Sequence, residues 1–95
     1  MFMLIVKFHT ALDDAQVRRF LDERLAQFRA VPGLIQKYYA RETATGEYVG
    51  VYLFDSEESL LRYRSSDLAR SIPAVYQVVG SPRIEMFELL FKLRE

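Results

Sequence analysis

The chain has 95 residues, the size of one domain, and its 13 basic and 13 acidic side chains cancel. This balance gives no electrostatic reason to expect nucleic acid or an anionic membrane as a partner. There is no cysteine, which excludes disulfides, thiolate catalysis and iron–sulfur clusters. No segment is apolar for long enough to span a bilayer or has the features of a signal peptide, so we expect a cytoplasmic protein.

The first half of the chain predicts a strand, a helix and a hairpin. Phe2–Phe8 is a run of apolar, β-favouring residues, which is typical of a central strand. Asp13 and Gln16 have the spacing of a capping box, and apolar residues then recur at helical spacing until near Ala30. Residues 34–42 and 47–54 read as two antiparallel strands joined by a turn at 43–46.

The second half predicts a helix and a last strand. Asp55 and Glu58 repeat the capping-box spacing, so we expect a second helix from about Ser56. After a poorly patterned stretch and a turn at 80–82, residues 83–93 read as the final strand. The expected inner stripe of the second helix consists of Leu60, Leu61 and Leu68, with Tyr63 beside them.

The order β-α-β-β-α-β predicts a single α+β domain over residues 1–95, with ferredoxin-like topology. Both helices should lie on one face of a four-stranded antiparallel sheet. Strand alternation assigns the following to the helix side: Phe2, Leu4, Val6 and Phe8 of the first strand, and Val49, Val51 and Leu53 of the third. The other face would then expose Met3, Ile5, Tyr52 and Phe54, an apolar patch that sheet-to-sheet pairing in a homodimer would cover.

Three segments carry a family resemblance: Pro32–Tyr39, Gly46–Phe54 and Asp55–Ser59. They resemble the dimeric α/β-barrel superfamily and, within it, the group called putative mono-oxygenases, near the antibiotic-biosynthesis mono-oxygenases. The resemblance runs over about residues 2–68 and resumes at 83–89. It implies a homodimer that oxidises an aromatic or quinol-type small molecule with O2, without metal, haem or flavin.

The chemistry implied by this resemblance requires a base that removes a phenolic proton, after which the electron-rich anion reduces O2. His9 is the only histidine, and its imidazole is the favoured base because its ordinary pKa lies near neutrality. Lys7 lies on the same side of the first strand as His9 and is the second candidate catalytic residue. The substrate is expected to contact Tyr39, Tyr52, Phe54 and Glu88. We expect Lys7 and His9 to line one cavity beneath the sheet together with Tyr39, Tyr52 and Glu88.

Other interpretations stay open. His9 could simply end a strand, and Lys7 could form a structural salt bridge with Glu88. The chain could be a non-catalytic dimer that binds or senses a small apolar ligand, or an isomerase or lyase that uses the same cavity. One histidine and scattered carboxylates predict no metal site, and haem degradation ranks below oxidation without a cofactor.

Overall fold

The computed structural model describes all 95 residues, which form a four-stranded antiparallel sheet in the order β2-β3-β1-β4. The ferredoxin-like βαββαβ topology is confirmed, with two additional short helices before the last strand. The elements are β1 (Phe2–Thr10), α1 (Asp14–Arg29), β2 (Leu34–Arg41), β3 (Tyr48–Phe54), α2 (Glu57–Arg64), α3 (Asp67–Arg70), α4 (Ile72–Val75) and β4 (Val78–Glu88).

Helix α1 begins at the predicted capping box. The Asp13 carboxylate accepts a hydrogen bond from the backbone N–H of Gln16 at 2.8 Å, and the Gln16 side chain accepts one from the N–H of Asp13 at 3.0 Å. The turn that follows the helix depends on Gly33, which has a φ of +78°. A Cβ there would lie 2.2 Å from Ser59 Oγ, so this position requires glycine for both conformation and space.

Helix α2 differs from the prediction in its cap and its inner face. Ser56, not Asp55, is the N-cap, and its hydroxyl accepts from the N–H of Ser59 at 3.1 Å. Leu61 is 47% exposed, whereas Leu60 and Tyr63 are buried. The helix therefore starts one residue later than expected, and its inner face is formed by Leu60 and Tyr63 but not by Leu61.

Strand β4 begins before its predicted start and ends before its predicted end. It runs from Val78 to Glu88 and includes the expected turn at 80–82. His9 pairs with Val79 and Lys7 with Arg83, so β4 carries extra residues between these pairs and forms a bulge. Gly80, with a φ of +73°, allows that bulge.

The two faces of β3 are the reverse of the prediction. Leu4 lies opposite Tyr52, and Phe2 opposite Phe54. Because directly opposed residues share a face of an antiparallel pair, the Tyr52 row packs with the first strand's predicted core row against the helices. Tyr52 is 2% exposed and Phe54 fully buried. The Tyr52 hydroxyl lies 3.1 Å from the Tyr63 hydroxyl, which satisfies its polar atom inside the core.

The sheet face away from the helices, which we call the open face, carries the alternate side chains of β1 and β3. Val49, Val51 and Leu53 lie there with Met3 and Ile5. An apolar patch therefore exists on this face, as predicted, but its third-strand members are aliphatic rather than aromatic. The patch extends to the edge strands through Tyr38 (56% exposed) and Phe87 (41% exposed). None of the four helices combines the length and the hydrophobicity that a membrane-spanning helix needs.

Candidate functional site

A cavity lies between the helix side of the sheet and the helices, and we call it the sheet–helix pocket. Its volume is about 40 Å³, and 11 of its 13 lining residues are hydrophobic. None of the 13 is acidic. The residues that matter for its chemistry are Lys37, Tyr39, Gly50, Tyr52 and Tyr76.

The side-chain amine of Lys37 lies among three aromatic rings. Its Nζ lies 3.4 Å from the centroid of the Phe28 ring, 4.4 Å from that of Tyr39 and 4.5 Å from that of Tyr52. It makes no salt bridge. The ring faces favour the ammonium form, but burial, aided by the positive charge of Arg24, lowers the pKa of Lys37 to about 7. Near neutral pH a substantial fraction of this amine is therefore unprotonated and able to accept a proton.

The tyrosines around the pocket are hydrogen-bond donors at neutral pH. Burial raises the pKa of Tyr76 to about 12 and that of Tyr52 well above its usual value. The buried hydroxyl of Tyr76 has no hydrogen-bond partner in the protein. A buried hydroxyl without a partner is costly, so an oxygen atom of a bound ligand would be a favourable acceptor there.

Gly50 makes room for a neighbouring ring. A Cβ at this position would lie 2.9 Å from Cε1 of Tyr52, so the aromatic ring of Tyr52 lies over the glycine. The missing side chain thus accommodates a residue of the protein. Any side chain at position 50 would push Tyr52 towards the pocket or the core.

The predicted site residues do not all share one cavity. Tyr39 and Tyr52 line the sheet–helix pocket. Phe54 belongs to the core behind it, where its ring stacks on that of Tyr52 with centroids 6.2 Å apart. Glu88 lies at the far end of the sheet opposite Phe2.

Lys7 and His9 lie on the open face, on the other side of the sheet from Tyr52. Lys7 Nζ is 3.7 Å from a Glu42 carboxylate oxygen and 3.8 Å from one of Glu85, so its partner is not Glu88. The His9 side chain is 57% exposed and lies 4.0 Å from Glu47. The expectation that both join Tyr39 and Tyr52 in one cavity is wrong, because it assigned Tyr52 to the wrong face of β3. Their roles in binding or catalysis stay predictions.

Sequence reasoning missed Lys37 and Tyr76. Lys37 shares a row of β2 with Tyr39 and lies opposite Tyr52, so correct assignment of the Tyr52 row would have placed it inside. Tyr76 follows the short helix α4, in the stretch that has no clear periodicity. The backbone carbonyl of Tyr76 accepts a hydrogen bond from the Thr10 hydroxyl, a long-range contact that no local pattern indicates.

Comparison with known proteins identifies the family. The family described as "Putative mono-oxygenase ydhR" matches residues 3–93. This covers nearly the whole chain, including the poorly patterned stretch before β4. The chain belongs to this family, as its resemblance to the mono-oxygenase group predicted. No curated protein sequence matches it.

Solved structures with the same fold include oxygenases. SnoaB, a cofactor-independent oxygenase from Streptomyces nogalater, is 16% identical, with a TM-score of 0.76 over 99% of this chain and 97% of that one. A putative antibiotic biosynthesis monooxygenase from Deinococcus radiodurans is 14% identical, with a TM-score of 0.77 over 100% and 98% of the two chains. Rv0793 from Mycobacterium tuberculosis is 19% identical, with a TM-score of 0.75 over 98% of each. At such low identities the likeness shows the fold and not the reaction.

Proposed function

We propose that the protein is a cofactor-independent mono-oxygenase that oxidises an electron-rich aromatic molecule, of phenol or quinol type, in the sheet–helix pocket. The observation that carries this proposal is the Lys37 amine, which lies without an ion-pair partner among three aromatic rings. Membership of a mono-oxygenase family and the structural likeness to SnoaB support it. In this proposal Lys37 is the catalytic base, in place of His9, which the sequence analysis favoured.

The proposed reaction begins when the neutral Lys37 amine accepts the phenolic or enolic proton of the substrate. The ammonium that forms stays beside the substrate anion and stabilises it in a site with few other polar groups. The anion then reduces O2. For an anthrone-type substrate, one oxygen atom becomes the new ring carbonyl, and the other leaves as water with the two hydrogens of the ring methylene.

The aromatic walls suit a planar substrate. The rings of Tyr39 and Phe28 flank Lys37, and Tyr76 offers an unpartnered hydroxyl to a substrate oxygen. Tyr39 is 40% exposed, and an aromatic substrate larger than the 40 Å³ cavity would have to displace its ring to enter. Apolar walls also keep water away from the reactive anion.

A homodimer paired through the open face completes the proposal. The open face is apolar at its centre, and pairing two copies would cover Met3, Ile5, Val51 and Leu53 of each. A stable dimer of this kind buries about 800 Å² per partner. In this arrangement Lys7 and His9 belong to the subunit interface, where the ion pairs of Lys7 with Glu42 and Glu85 fix how the sheets meet.

Oxygen uptake tests the proposed reaction. The purified protein should consume O2 with at least one member of a panel of anthrones and hydroquinones. With that substrate, Lys37→Met should lower kcat by ~10²–10⁴, the usual contribution of a general base. Lys7→Met and His9→Ala serve as matched controls and should keep the turnover. Loss of activity in His9→Ala with full activity in Lys37→Met would return the base to the open face and refute the assignment.

Ligand binding without oxidation is the second candidate function. The observation that favours it is that the Tyr52 ring fills the space beside Gly50. This leaves little room for a substrate and O2 to react side by side. In that case aromatic ligands would quench the tyrosine fluorescence of the protein, and no oxygen would be consumed with any of them.

A further inference from the structure

We propose that Lys37 is a covalent capture site, at which its amine forms an imine with an aromatic aldehyde or ketone. This activity goes beyond the proposed oxidation and needs no O2. It uses the same side chain as a nucleophile towards carbon rather than as a base towards a proton.

The position of Lys37 makes its amine both enclosed and reachable. β2 is an edge strand of the sheet, and Lys37 extends from it under the Phe28 ring. The residue lines the sheet–helix pocket on one side and, on the other, a second cleft of about 320 Å³ between β2 and the end of α1. A small planar carbonyl compound can therefore approach from the edge of the sheet and contact ring faces as it arrives.

The surroundings of Lys37 favour the nucleophilic form of the amine. Neither the pocket nor the second cleft has an acidic lining residue, so no carboxylate holds the proton in place. Burial and the nearby Arg24 charge bring its pKa to about 7, whereas an ordinary lysine is less than about 0.1% neutral at pH 7. Desolvation in an apolar site next to a second cation is a known way to activate a lysine for imine chemistry.

The step balances without any further reactant. The lone pair of Nζ attacks the carbonyl carbon, and the carbonyl oxygen takes up a proton to give a carbinolamine. The carbinolamine then loses water to leave a C=N bond, so one amine and one carbonyl become one imine and one water. The aryl group would lie against the rings of Phe28, Tyr39 and Tyr52, whose faces already surround the nitrogen.

The chain contains its own comparison, because it has three lysines. Lys7 is also shielded from solvent, with a side chain 21% exposed, but two glutamates neutralise it. Lys92 is exposed near the C-terminus. If apolar surroundings without a carboxylate produce the reactivity, Lys37 alone should show it. If ordinary accessibility governs the reaction, Lys92 should react first.

Reductive trapping tests the proposal on the full-length folded protein. The protein is incubated at pH 7 with 2-naphthaldehyde and sodium cyanoborohydride, which reduces the imine to a stable secondary amine. The alkylated positions are then mapped by peptide mass spectrometry, with the N-terminal amine scored separately. We expect Lys37 to be labelled at least about tenfold faster at pH 7 than Lys7 or Lys92, whose amines react from a much smaller neutral fraction if they behave as ordinary lysines.

Two further arms decide what the labelling means. In 8 M urea the preference for Lys37 should disappear, and Lys37→Arg, which keeps the charge but removes the nucleophile, should lose the fast label. Equal labelling of Lys37 and Lys92 in the folded protein would overturn the proposal, and so would a preference that persists in urea. Because all three lysines are read in the wild-type protein, the test does not depend on the variant folding. Oxygen uptake is not part of the readout, so failure here leaves the proposed oxidation standing.

Discussion

Lys37 and Lys7 lie on opposite faces of the same sheet, and the groups that surround their amines differ. On the helix side, Lys37 is surrounded by aromatic rings and has no carboxylate partner. On the open face, Lys7 lies within 3.8 Å of two glutamates. One face therefore keeps an uncompensated amine in an apolar site, and the other neutralises its charges locally.

This difference separates two uses of an apolar surface. A buried amine without a partner costs stability, and such a cost is typical of a site where reactivity or binding matters. A paired lysine at the rim of an apolar patch contributes little energy but restricts how another surface can dock. The helix side thus has the features of a reaction site, and the open face those of an interface.

The largest expected effect on stability comes from a substitution in the hydrophobic core behind the sheet–helix pocket. Phe54 is fully buried and stacks on Tyr52, so Phe54→Ala should lower the free energy of unfolding by about 3–5 kcal/mol. Leu93, which is 91% exposed, supplies the control, and Leu93→Ala should change it by less than about 0.5 kcal/mol. Urea denaturation monitored by circular dichroism measures both. Similar midpoints for the two variants would mean that Phe54 is not in the core.

The fold could be predicted from the sequence because each of its main elements has a local signal. The capping box at Asp13 and the apolar spacing of α1 need no tertiary information, and the order of elements then limits the topology. Strand β4 was predicted less well, because its bulge at Gly80 looks like a turn in the sequence. Its length depends on the pairing of Val79 with His9 and of Arg83 with Lys7, which no local pattern shows.

The site could be predicted only in part, for a physical reason. Both rows of β3 are apolar, so alternation alone does not say which one faces the helices; the register with β1 decides. Tyr52 belongs inside because Tyr63 satisfies its hydroxyl, and that partner lies on a different element. Once Tyr52 was assigned to the wrong face, Lys7 and His9 appeared beside it and Lys37 was overlooked.

The open face is tested by placing a charge at its centre. Val51 lies between Ile5 and Tyr38 in the sheet, and in the proposed dimer it would be buried. Val51→Glu should shift the particle from a dimer to the 11.1 kDa monomer, because each buried, unpaired carboxylate costs several kcal/mol. Light scattering at micromolar concentration measures the mass. Gln27→Glu, at an exposed position of α1, should leave the dimer intact, and a monomeric wild-type protein would rule out the dimer itself.

The charge of Lys37 should give the protein a specific pH dependence. The pKa is about 7 in the folded protein and about 10.4 in the unfolded chain, so between these values the unfolded state binds more protons and stability rises with pH. From pH 7 to pH 9.5 the gain should be ~2–3 kcal/mol relative to Lys37→Met, which has no titrating group there. Urea midpoints of both proteins at several pH values provide the measurement. Parallel pH profiles would show that Lys37 is hydrated and charged.

The smallest expected effect on stability is that of Lys7→Met, which makes on the open face the same change as Lys37→Met makes on the helix side. Lys7→Met removes two partly exposed ion pairs, at 3.7 and 3.8 Å, and pairs of this kind contribute about 0–1 kcal/mol each. The difference in free energy of unfolding between Lys7→Met and the wild type should therefore stay small and constant between pH 7 and pH 9.5, because both proteins keep Lys37. The measurement uses the same urea titrations, with both proteins at the same low concentration so that dimer formation does not contribute. A pH-dependent gap as large as that of Lys37→Met would mean that the glutamates do not compensate Lys7, and the contrast between the two faces would fail.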